Sequence, residues 1–424
     1  MRTLVLSCFI AFCTICAPAT AQPRYESDAI KASKAYRDGS AKLDAAFNRS
    51  IDETIELTEI PAPPFGEDKR AEAYLAMFRE AGFAEAKRDG EGNILALLTS
   101  GAERGDVVVI SAHMDTVFPE DTDVSVKREG DRLTAPGVGD DSRNLAVILA
   151  YARAMKETGV RTTSDVLFVG TVGEEGAGDL RGVRHLMTKG EYAGKVSAFI
   201  SFDGLDPDVI YASAVGSRRY RSVFKGPGGH SFSDFGMVNP MSAMARTVEE
   251  LYALDVPSDP PTSYAATLIL GGRSINTIPD TVELGVDLRS FSPDELMRLD
   301  REYIAATQRA VEQENARRSV AKGALTVENI MIGDRPAGGG GPDSAIAIAA
   351  HAIYSTHGFA PEFVAASTDA NIAMSLKVPA LTLGTGGIEY GAHSKDEYIE
   401  LPREETLRGM KAGYAVVLSL AGLR

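Results

Sequence analysis

The sequence has little cysteine. Its 424 residues include three cysteines, Cys8, Cys13 and Cys16, and all of them lie before residue 21. If that first segment is a cleaved signal peptide, the remaining chain has no thiol and no disulfide, and a protein of this size can rely on its hydrophobic core instead. Any metal site in the mature chain must then be built from histidine and carboxylate side chains.

The sequence is also short of positive charge. Its 44 lysines and arginines are outnumbered by 59 aspartates and glutamates, which gives a formal net charge of −15 at pH 7. Because nucleic-acid binding requires a basic surface, we expect no nucleic-acid partner. A composition of 44% hydrophobic and 24% charged residues predicts a globular protein of one large or two ordinary domains.

Long apolar runs are missing beyond the amino terminus. Residues 4–17 are largely apolar, follow Arg2 and precede Ala19-Thr20-Ala21, which is the pattern of a signal peptide and its cleavage site. The run is shorter than the roughly 20 apolar residues that cross a bilayer. We therefore expect cleavage after Ala21 and a secreted or periplasmic protein with no membrane partner. A transmembrane anchor or a lipid-modified cysteine fits the segment less well.

Apolar, β-branched runs alternate with helical spacing through much of the chain. The clearest strand patterns are at 107–110, 166–169 and 198–200, and the clearest helix is at 144–158. This alternation predicts an α/β fold with a mixed, mostly parallel sheet flanked by helices. In such sheets, ligands bind beyond the carboxyl ends of the strands.

Between residues 216 and 333 the pattern changes to strand, helix, two strands, helix and strand. This is the order of a ferredoxin-like α+β unit, so we predict that it is inserted as a lid or dimerisation domain. The signal peptide would occupy 1–21, and the larger domain would consist of 22–215 and 334–424. The glycines at 338–341 lack the lysine and the spacing of a phosphate-binding loop and are interpreted as a connector.

Polar side chains follow the three predicted strands where each strand ends. A carboxylate two residues after a histidine can orient that histidine as a metal ligand. Adjacent carboxylates repel each other unless a cation or a separate role stabilises them, and one could bind metal while the other serves as a base. The residues are, in chain order, His113 and Asp115, then Glu174 and Glu175, then Asp203.

Two further segments carry residues of the same types. Asp140 and Asp141 end the glycine-containing stretch 137–141, which opens a predicted helix. A carboxylate at this loop could bridge two cations, although either aspartate could instead only cap the helix. His393 lies in the segment Gly391–Ser394 near the carboxyl terminus.

The order of these motifs resembles that of the co-catalytic zinc peptidases. That family includes peptidase T, carboxypeptidase G, aminoacylase-1, the carnosine dipeptidases and the acetylornithine and succinyl-diaminopimelate deacylases. The resemblance covers nearly all of the mature chain. It implies two zinc ions, with manganese or cobalt as possible replacements. Under it, one ion would be bound by His113 and Asp203, the other by Glu175 and His393, and both by the bridging Asp140.

The resemblance also implies roles in catalysis. Glu174 would be the general base that takes a proton from a metal-bridging water, and Asp115 would orient His113. His230, in the segment Gly228–Ser231, would come from the inserted domain to stabilise the oxyanion, often across a dimer.

Three further positions would contact substrate by the same resemblance. Asn276 and Arg289 match positions that contact substrate polar groups, and Gly386 lies where the backbone must approach substrate closely. For Arg289 the alternative is an ordinary surface ion pair.

We therefore predict an exported two-zinc metallo-exopeptidase that hydrolyses small peptides as an aminopeptidase, dipeptidase or tripeptidase. Aspartate rather than glutamate at position 203 resembles the aminopeptidase and dipeptidase branches. One alternative is an N-acyl amino acid deacylase or a carboxypeptidase with the same site. A second alternative is a non-catalytic binding module of the same fold. We also expect a homodimer formed through the inserted domain.

Overall fold

The computed structural model describes residues 27–101 and 105–424, so the predicted signal peptide at 1–21 lies outside the described residues. The helices are Ser27–Ala32 (α1), Lys34–Thr58 (α2), Asp68–Glu80 (α3), Asn144–Thr158 (α4), Arg181–Thr188 (α5), Pro240–Tyr252 (α6), Pro293–Arg317 (α7), Ala345–Thr356 (α8), Ala370–Ser375 (α9) and Arg403–Ala421 (α10). Among the described residues, none of these helices combines the length and apolar composition that a bilayer span needs.

A large mixed sheet forms the centre of the molecule. Its described strands are, in spatial order, Lys87–Arg88 (β1), Ile94–Leu98 (β2), Asp165–Thr171 (β6), Val107–His113 (β3), Val196–Phe202 (β7), Ala380–Leu383 (β16), Val209–Ala214 (β8) and Glu362–Ala366 (β15). The four central strands β6, β3, β7 and β16 are parallel to one another, whereas β2 pairs antiparallel with β1 and β6, and β8 pairs antiparallel with β16. The predicted α/β class is confirmed.

Helices cover both faces of this sheet. Consecutive side chains of a strand point to opposite faces. Val108 and Ile110 of β3 therefore pack into a core with α2, α4 and α10, whereas Val107 and Val109 pack into a second core with α5 and α9. Burial on both faces explains why the strand is a continuous apolar run rather than an alternating one.

A smaller, antiparallel sheet is formed by residues 216–335. Its strands are, in spatial order, Thr262–Gly271 (β11), Thr281–Ser290 (β13), Gly216–Lys225 (β9) and Thr326–Arg335 (β14). Helices α6 and α7 pack on it around Phe224, Leu284 and Tyr303. The predicted ferredoxin-like unit is thus confirmed as part of the fold. Its last strand ends at Arg335 rather than at residue 333, and the domain boundaries stay a prediction.

Both helices of the smaller unit begin with the same local signal. Asn239 and Ser292 accept hydrogen bonds from backbone N–H groups in the first turns of α6 and α7, and Pro240 and Pro293 follow them. Proline is suited to the first helical position because the N–H group that it lacks has no partner there. Together these residues fix the two helix starts.

The remaining described strands form two small antiparallel sheets. A four-stranded sheet contains, in order, Ile388–Tyr390 (β17), Tyr398–Glu400 (β18), Arg132–Thr134 (β5) and Lys127–Glu129 (β4), and a two-stranded one pairs Gly229–His230 (β10) with Thr277–Ile278 (β12). Strand β8 and helix α5 were not predicted from the sequence. Strand β8 alternates between buried and partly exposed residues, so it has no continuous apolar run.

Strand β11 is an outer strand of the smaller sheet, with β13 as its neighbour on one side. Its side chains Leu268, Ile269 and Leu270 are 45%, 59% and 50% exposed. An exposed, apolar edge strand can pair with a strand of another chain. Homodimerisation through this domain stays a prediction, and the edge of β11 is where a second copy would pair.

We expect Ile269→Lys to convert a dimer into a monomer, because a charged edge residue opposes strand pairing. Sedimentation velocity measures the change, and circular dichroism should show unaltered secondary structure. The control Ile348→Lys alters a residue that is 57% exposed on α8, away from this sheet, and should leave the dimer intact. A wild-type chain that sediments as a monomer would contradict the prediction.

Candidate metal centre

The predicted metal-binding side chains come from the ends of neighbouring parallel strands. His113 is the last residue of β3, Glu175 follows β6 and Asp203 follows β7 directly. Strand β3 lies between β6 and β7, so the three carboxyl ends meet at one edge of the sheet. Asp140 comes from an irregular turn, Val138–Arg143, that precedes α4, and His393 comes from the loop between β17 and β18.

The carboxylate of Asp140 lies between two histidines. Its Oδ1 is 2.8 Å from Nε2 of His113, and its Oδ2 is 3.0 Å from Nε2 of His393. The same nitrogen of His393 is 2.9 Å from Oε1 of Glu175. Each oxygen of Asp140 thus faces a different histidine, which is the arrangement that a carboxylate needs to serve two cations.

Two overlapping groups of side chains could hold cations. Within the described residues, the ligand atoms of His113, Asp140 and Glu175 lie within 4.8 Å of one another, as do those of His113, Asp141 and Asp203. The presence of Asp141 in the second group differs from the predicted set. However, its Oδ2 accepts the backbone N–H of His113 at 2.9 Å and its Oδ1 accepts Nδ2–H of Asn144 at 2.7 Å. Asp141 therefore holds the end of β3 through hydrogen bonds.

The charges of these groups fit a site for divalent cations. Burial and the nearby Asp140 and Glu175 raise the pKa of Asp203 to about 7. Hydrogen bonds to Asp140 and Glu175 raise the pKa of His393 to about 11. Buried carboxylates that face one another are costly without positive charge between them. Two imidazoles with three carboxylates suit zinc, and also manganese or cobalt.

Asp115 supports the centre in a way that differs from the predicted one. Nδ1 of His113 lies 2.9 Å from the backbone carbonyl oxygen of Asp115 and 3.6 Å from its carboxylate. The carboxylate instead accepts the backbone N–H groups of Glu174 and Glu175, at 2.9 and 2.8 Å. The imidazole is thus oriented mainly by a carbonyl group, while the side chain of Asp115 fixes the turn that carries the two glutamates.

Glu397 holds the loop of Asp140, and the sequence analysis missed it. Its Oε2 accepts the N–H of Gly137 at 2.9 Å, and its Oε1 accepts the N–H groups of Gly139 and Asp140 at 2.7 and 3.2 Å. Burial raises the pKa of Glu397 to about 7, although these donors lower it. Its position four residues after His393 was the signal that could have drawn attention to it.

Glu174 is held by an arginine that the sequence analysis also missed. Arg335, the last residue of β14, donates from Nη1 to Oε1 of Glu174 at 3.0 Å and from Nη2 to its backbone carbonyl oxygen. Both side chains are buried. Burial raises the pKa of Glu174 well above its usual value, and the charge of Arg335 opposes that rise.

His230 and Asn276 lie on adjacent segments of the smaller unit. Strands β10 and β12 pair His230 with Thr277, and the N–H of Ser231 donates to the carbonyl oxygen of Asn276 at 2.9 Å. His230 is exposed, and its Nδ1 accepts N–H groups of its own loop. The roles of both residues in substrate binding and catalysis stay predictions.

The other two predicted substrate contacts have structural partners. Nε–H of Arg289 donates to Oδ2 of Asp287 at 2.8 Å, which is the ion pair considered as the alternative for this arginine. Gly386 has φ near +100°, and a Cβ there would lie 2.6 Å from the backbone oxygen of Thr406 in α10. The requirement for glycine therefore comes from packing against α10, and a role of Gly386 in substrate binding stays a prediction.

Comparison with known proteins gives a consistent family and fold. The model of Peptidase family M20/M25/M40 matches residues 109–421. Aminopeptidase PepT from Bacillus cereus superposes with a TM-score of 0.70 at 18% identity, over 88% of this chain and 98% of that chain. The dipeptidase Dug1p from Saccharomyces cerevisiae gives 0.68 at 16% identity, over 91% and 98%. The YXEP protein of Bacillus subtilis, a dinuclear metal-binding peptidase, gives 0.61 at 17%, over 89% and 99%.

Metal removal should make the stability of the fold fall as pH rises. Asp203 and Glu397 have pKa values of about 7 in the folded chain, against about 4 when unfolded. A carboxyl group with a raised folded pKa stabilises the fold while it is protonated, and this contribution is lost as pH rises through that value. We expect the melting temperature of chelator-treated protein to fall between about pH 4 and 7, that is, between the unfolded and the folded pKa values, and added Zn²⁺ to restore it.

Thermal unfolding at several pH values, with and without Zn²⁺, measures this effect. Asp203→Asn should flatten the pH dependence of the chelated protein, because it removes one of the opposing charges. Glu362→Gln, a change at an exposed acid on β15, is the control and should leave it unaltered. A melting temperature that is constant over this range without metal would count against the site.

Proposed function

This chain belongs to Peptidase family M20/M25/M40, and from that premise we propose that it is an exported two-zinc exopeptidase that acts on small peptides with a free amino terminus. As a member of this family it is a metal-dependent hydrolase. The proposal of export rests on the first 21 residues, and sequencing of the mature amino terminus, expected at Gln22, would test it.

One observation carries the proposal of a metal pair. The two oxygens of Asp140 contact His113 and His393 separately, and Glu175 and Asp203 flank them. When bound, a zinc pair supplies Lewis acidity, which polarises a carbonyl group and makes water a better acid. Asp140 would bridge the pair, with His113 and Asp203 on one side and Glu175 and His393 on the other.

Glu174 would move the proton in the reaction. Arg335 holds its Oε1, while the other carboxylate oxygen is left to accept a proton from the attacking water. The same carboxyl group would then give that proton to the departing amine. Because Asp115 fixes the backbone of Glu174 and Arg335 fixes its side chain, the base is held in place before substrate arrives.

The proposal that the substrate is a peptide with a free amino terminus is supported by structures of the same fold and by the contact that Arg289 makes. The structures with this fold include an aminopeptidase and a dipeptidase. The deacylase or carboxypeptidase alternative requires Arg289 to bind a substrate carboxylate, but its Nε–H is engaged with Asp287. The alternative of a non-catalytic binding module does not explain why the potential base Glu174 lies beside the potential ligand Glu175.

We expect Glu174→Gln to lower kcat by about 10²–10⁴, because the amide removes the general base. Its bound metal, measured by atomic emission, should stay unchanged, since the three candidate ligand carboxylates and both histidines remain. Glu175→Gln is the matched comparison and should lose metal as well as activity. Full hydrolysis by Glu174→Gln would contradict the assignment of the base.

Short peptides should be cleaved from the amino end. We expect the purified, zinc-loaded protein to release the first residue of di- and tripeptides and to leave the same peptides intact when they are amino-acetylated. Mass spectrometry of a defined peptide mixture identifies the products and their order of appearance. Cleavage of the acetylated peptides alone would overturn the exopeptidase proposal and favour the deacylase.

A further inference from the structure

Glu389 carries an unpaired carboxylate oxygen beside the candidate metal centre. A cavity of about 370 Å³ lies between the carboxyl end of β7 and the loop 384–392, and Asp203, Tyr211, Gly387 and Glu389 line it. Oε1 of Glu389 is buried and has no hydrogen-bond partner among the described residues. Buried polar atoms without a partner are rare and costly, so the carboxylate of Glu389 lacks a hydrogen-bond partner that a ligand in the cavity could supply.

The electrostatics of the cavity favour a cationic group. Its lining contains the acids Asp203, Asp206 and Glu389, and among the described residues that line it there is no lysine, arginine or histidine. Burial and the nearby charges of Asp140 and Glu397 raise the pKa of Glu389 to about 8, which means that its negative charge is costly in isolation. A cation in the cavity beside the carboxylate of Glu389 would remove that cost.

The position of Glu389 indicates which cation it would bind. Gly139 precedes Asp140 directly, and a Cβ at Gly139 would lie 2.7 Å from Oε1 of Glu389. The acid is therefore packed against the loop that carries the central aspartate. In a peptide, the α-amino nitrogen lies about 2.5 Å from the carbonyl carbon of its own residue. A peptide whose first carbonyl group lies at the metal centre thus brings its α-ammonium group close to this acid.

The fold also holds Glu389 rigidly. Strand β17 pairs Glu389 with Ile399 of β18, and β18 pairs in turn with β5. Glu397, which directly precedes β18, accepts hydrogen bonds from the loop that carries Asp140. A carboxylate that is held in place cannot turn to another hydrogen-bond partner when the substrate lacks an amino group. It therefore favours substrates that have this group over those that lack it.

We propose that Glu389 binds the free α-ammonium group of the peptide substrate in this cavity and so selects free over blocked amino termini. The inference rests on the proposed exopeptidase function and adds the residue that sets its substrate class. Glu389 contacts the substrate and binds neither metal. A basic side chain of the substrate is the other cation that could occupy the cavity. It carries its charge at the end of a flexible stem of several carbons, so the charge would lie farther from the metal centre than that of an α-amino group.

The test compares a substrate with the same molecule lacking the amino group. The two substrates are Ala-Ala-Ala and propionyl-Ala-Ala, and kcat/KM is measured for each with the zinc-loaded full chain. We expect wild type to prefer the free amine by about 10- to 100-fold, the range of one charge-assisted hydrogen bond. Glu389→Gln should bring this ratio close to one by losing activity on Ala-Ala-Ala alone. Its metal content should equal that of wild type.

Asp206→Asn is the matched control, because it removes an acid from the rim of the same cavity whose Oδ1 already accepts the N–H of Asp208. It should retain the wild-type ratio. If Glu389→Gln does not fold, Glu389→Asp gives the same readout, since it withdraws the carboxylate by one methylene group and should lower the ratio.

Three outcomes overturn the inference. They are an unchanged ratio in the Glu389 variant, an equal loss of activity on both substrates, and a loss of bound metal. A change in preference for Lys-Ala-Ala over Ala-Ala-Ala, with the amine ratio intact, would assign the cavity to a side chain and also overturn it. A wild type that cleaves propionyl-Ala-Ala but not Ala-Ala-Ala refutes the proposed function itself, and the two failures are therefore distinguishable.

Discussion

The concentration of carboxylates at the carboxyl ends of β3, β6 and β7 is the constraint on which the rest of the structure depends. The acids at these strand ends and in the loops beside them fall into two kinds. Asp115, Asp141 and Glu397 accept hydrogen bonds from backbone N–H groups, so their charges are stabilised by the chain itself. Asp140 and Asp203 belong to the second kind, because they face other acids and histidines rather than backbone donors. This difference separates the residues that shape the site from those that can bind metal.

The smaller unit is joined to the large sheet at the site itself. Arg335 ends β14 and contacts Glu174, while the N–H of the preceding Asp334 donates to both oxygens of Asp179 at 3.0 Å. Nη2 of Arg184 donates to the carbonyl oxygen of Asp334 at 2.7 Å. The last strand of the inserted unit is therefore fixed to the segment that follows β6. Any change in the direction of β14 at this junction would act on the side chain of Glu174.

The sequence predicted what depends on local pattern. The helix expected at 144–158 has those bounds, and the strand at 107–110 lies within β3. The rule that ligands bind beyond strand ends then placed His113 and Asp203 together. Arg335 and Glu397 were missed because their partners are 161 and up to 260 residues away in the chain. Such contacts depend on how the two sheets and the loops meet, which no periodicity records. The carbonyl group of Asp115 lies only two residues from His113, and it was missed because a residue pattern does not show whether the carbonyl or the carboxylate faces the imidazole.

The residues that set the chemistry are distinct from those that set the substrate. Paired histidines and carboxylates would activate water equally well for a peptide or for an acyl amide, since both reactions attack a carbonyl group. The choice therefore depends on charge in the space next to the metals. A deacylase needs an uncharged surface there and a free cation for the substrate carboxylate. This chain instead has Glu389 in the cavity, and the Nε–H of Arg289 is engaged with Asp287. Under the proposed role of Glu389, an acid four residues before the candidate ligand His393 determines the substrate, which the metal-binding motifs do not.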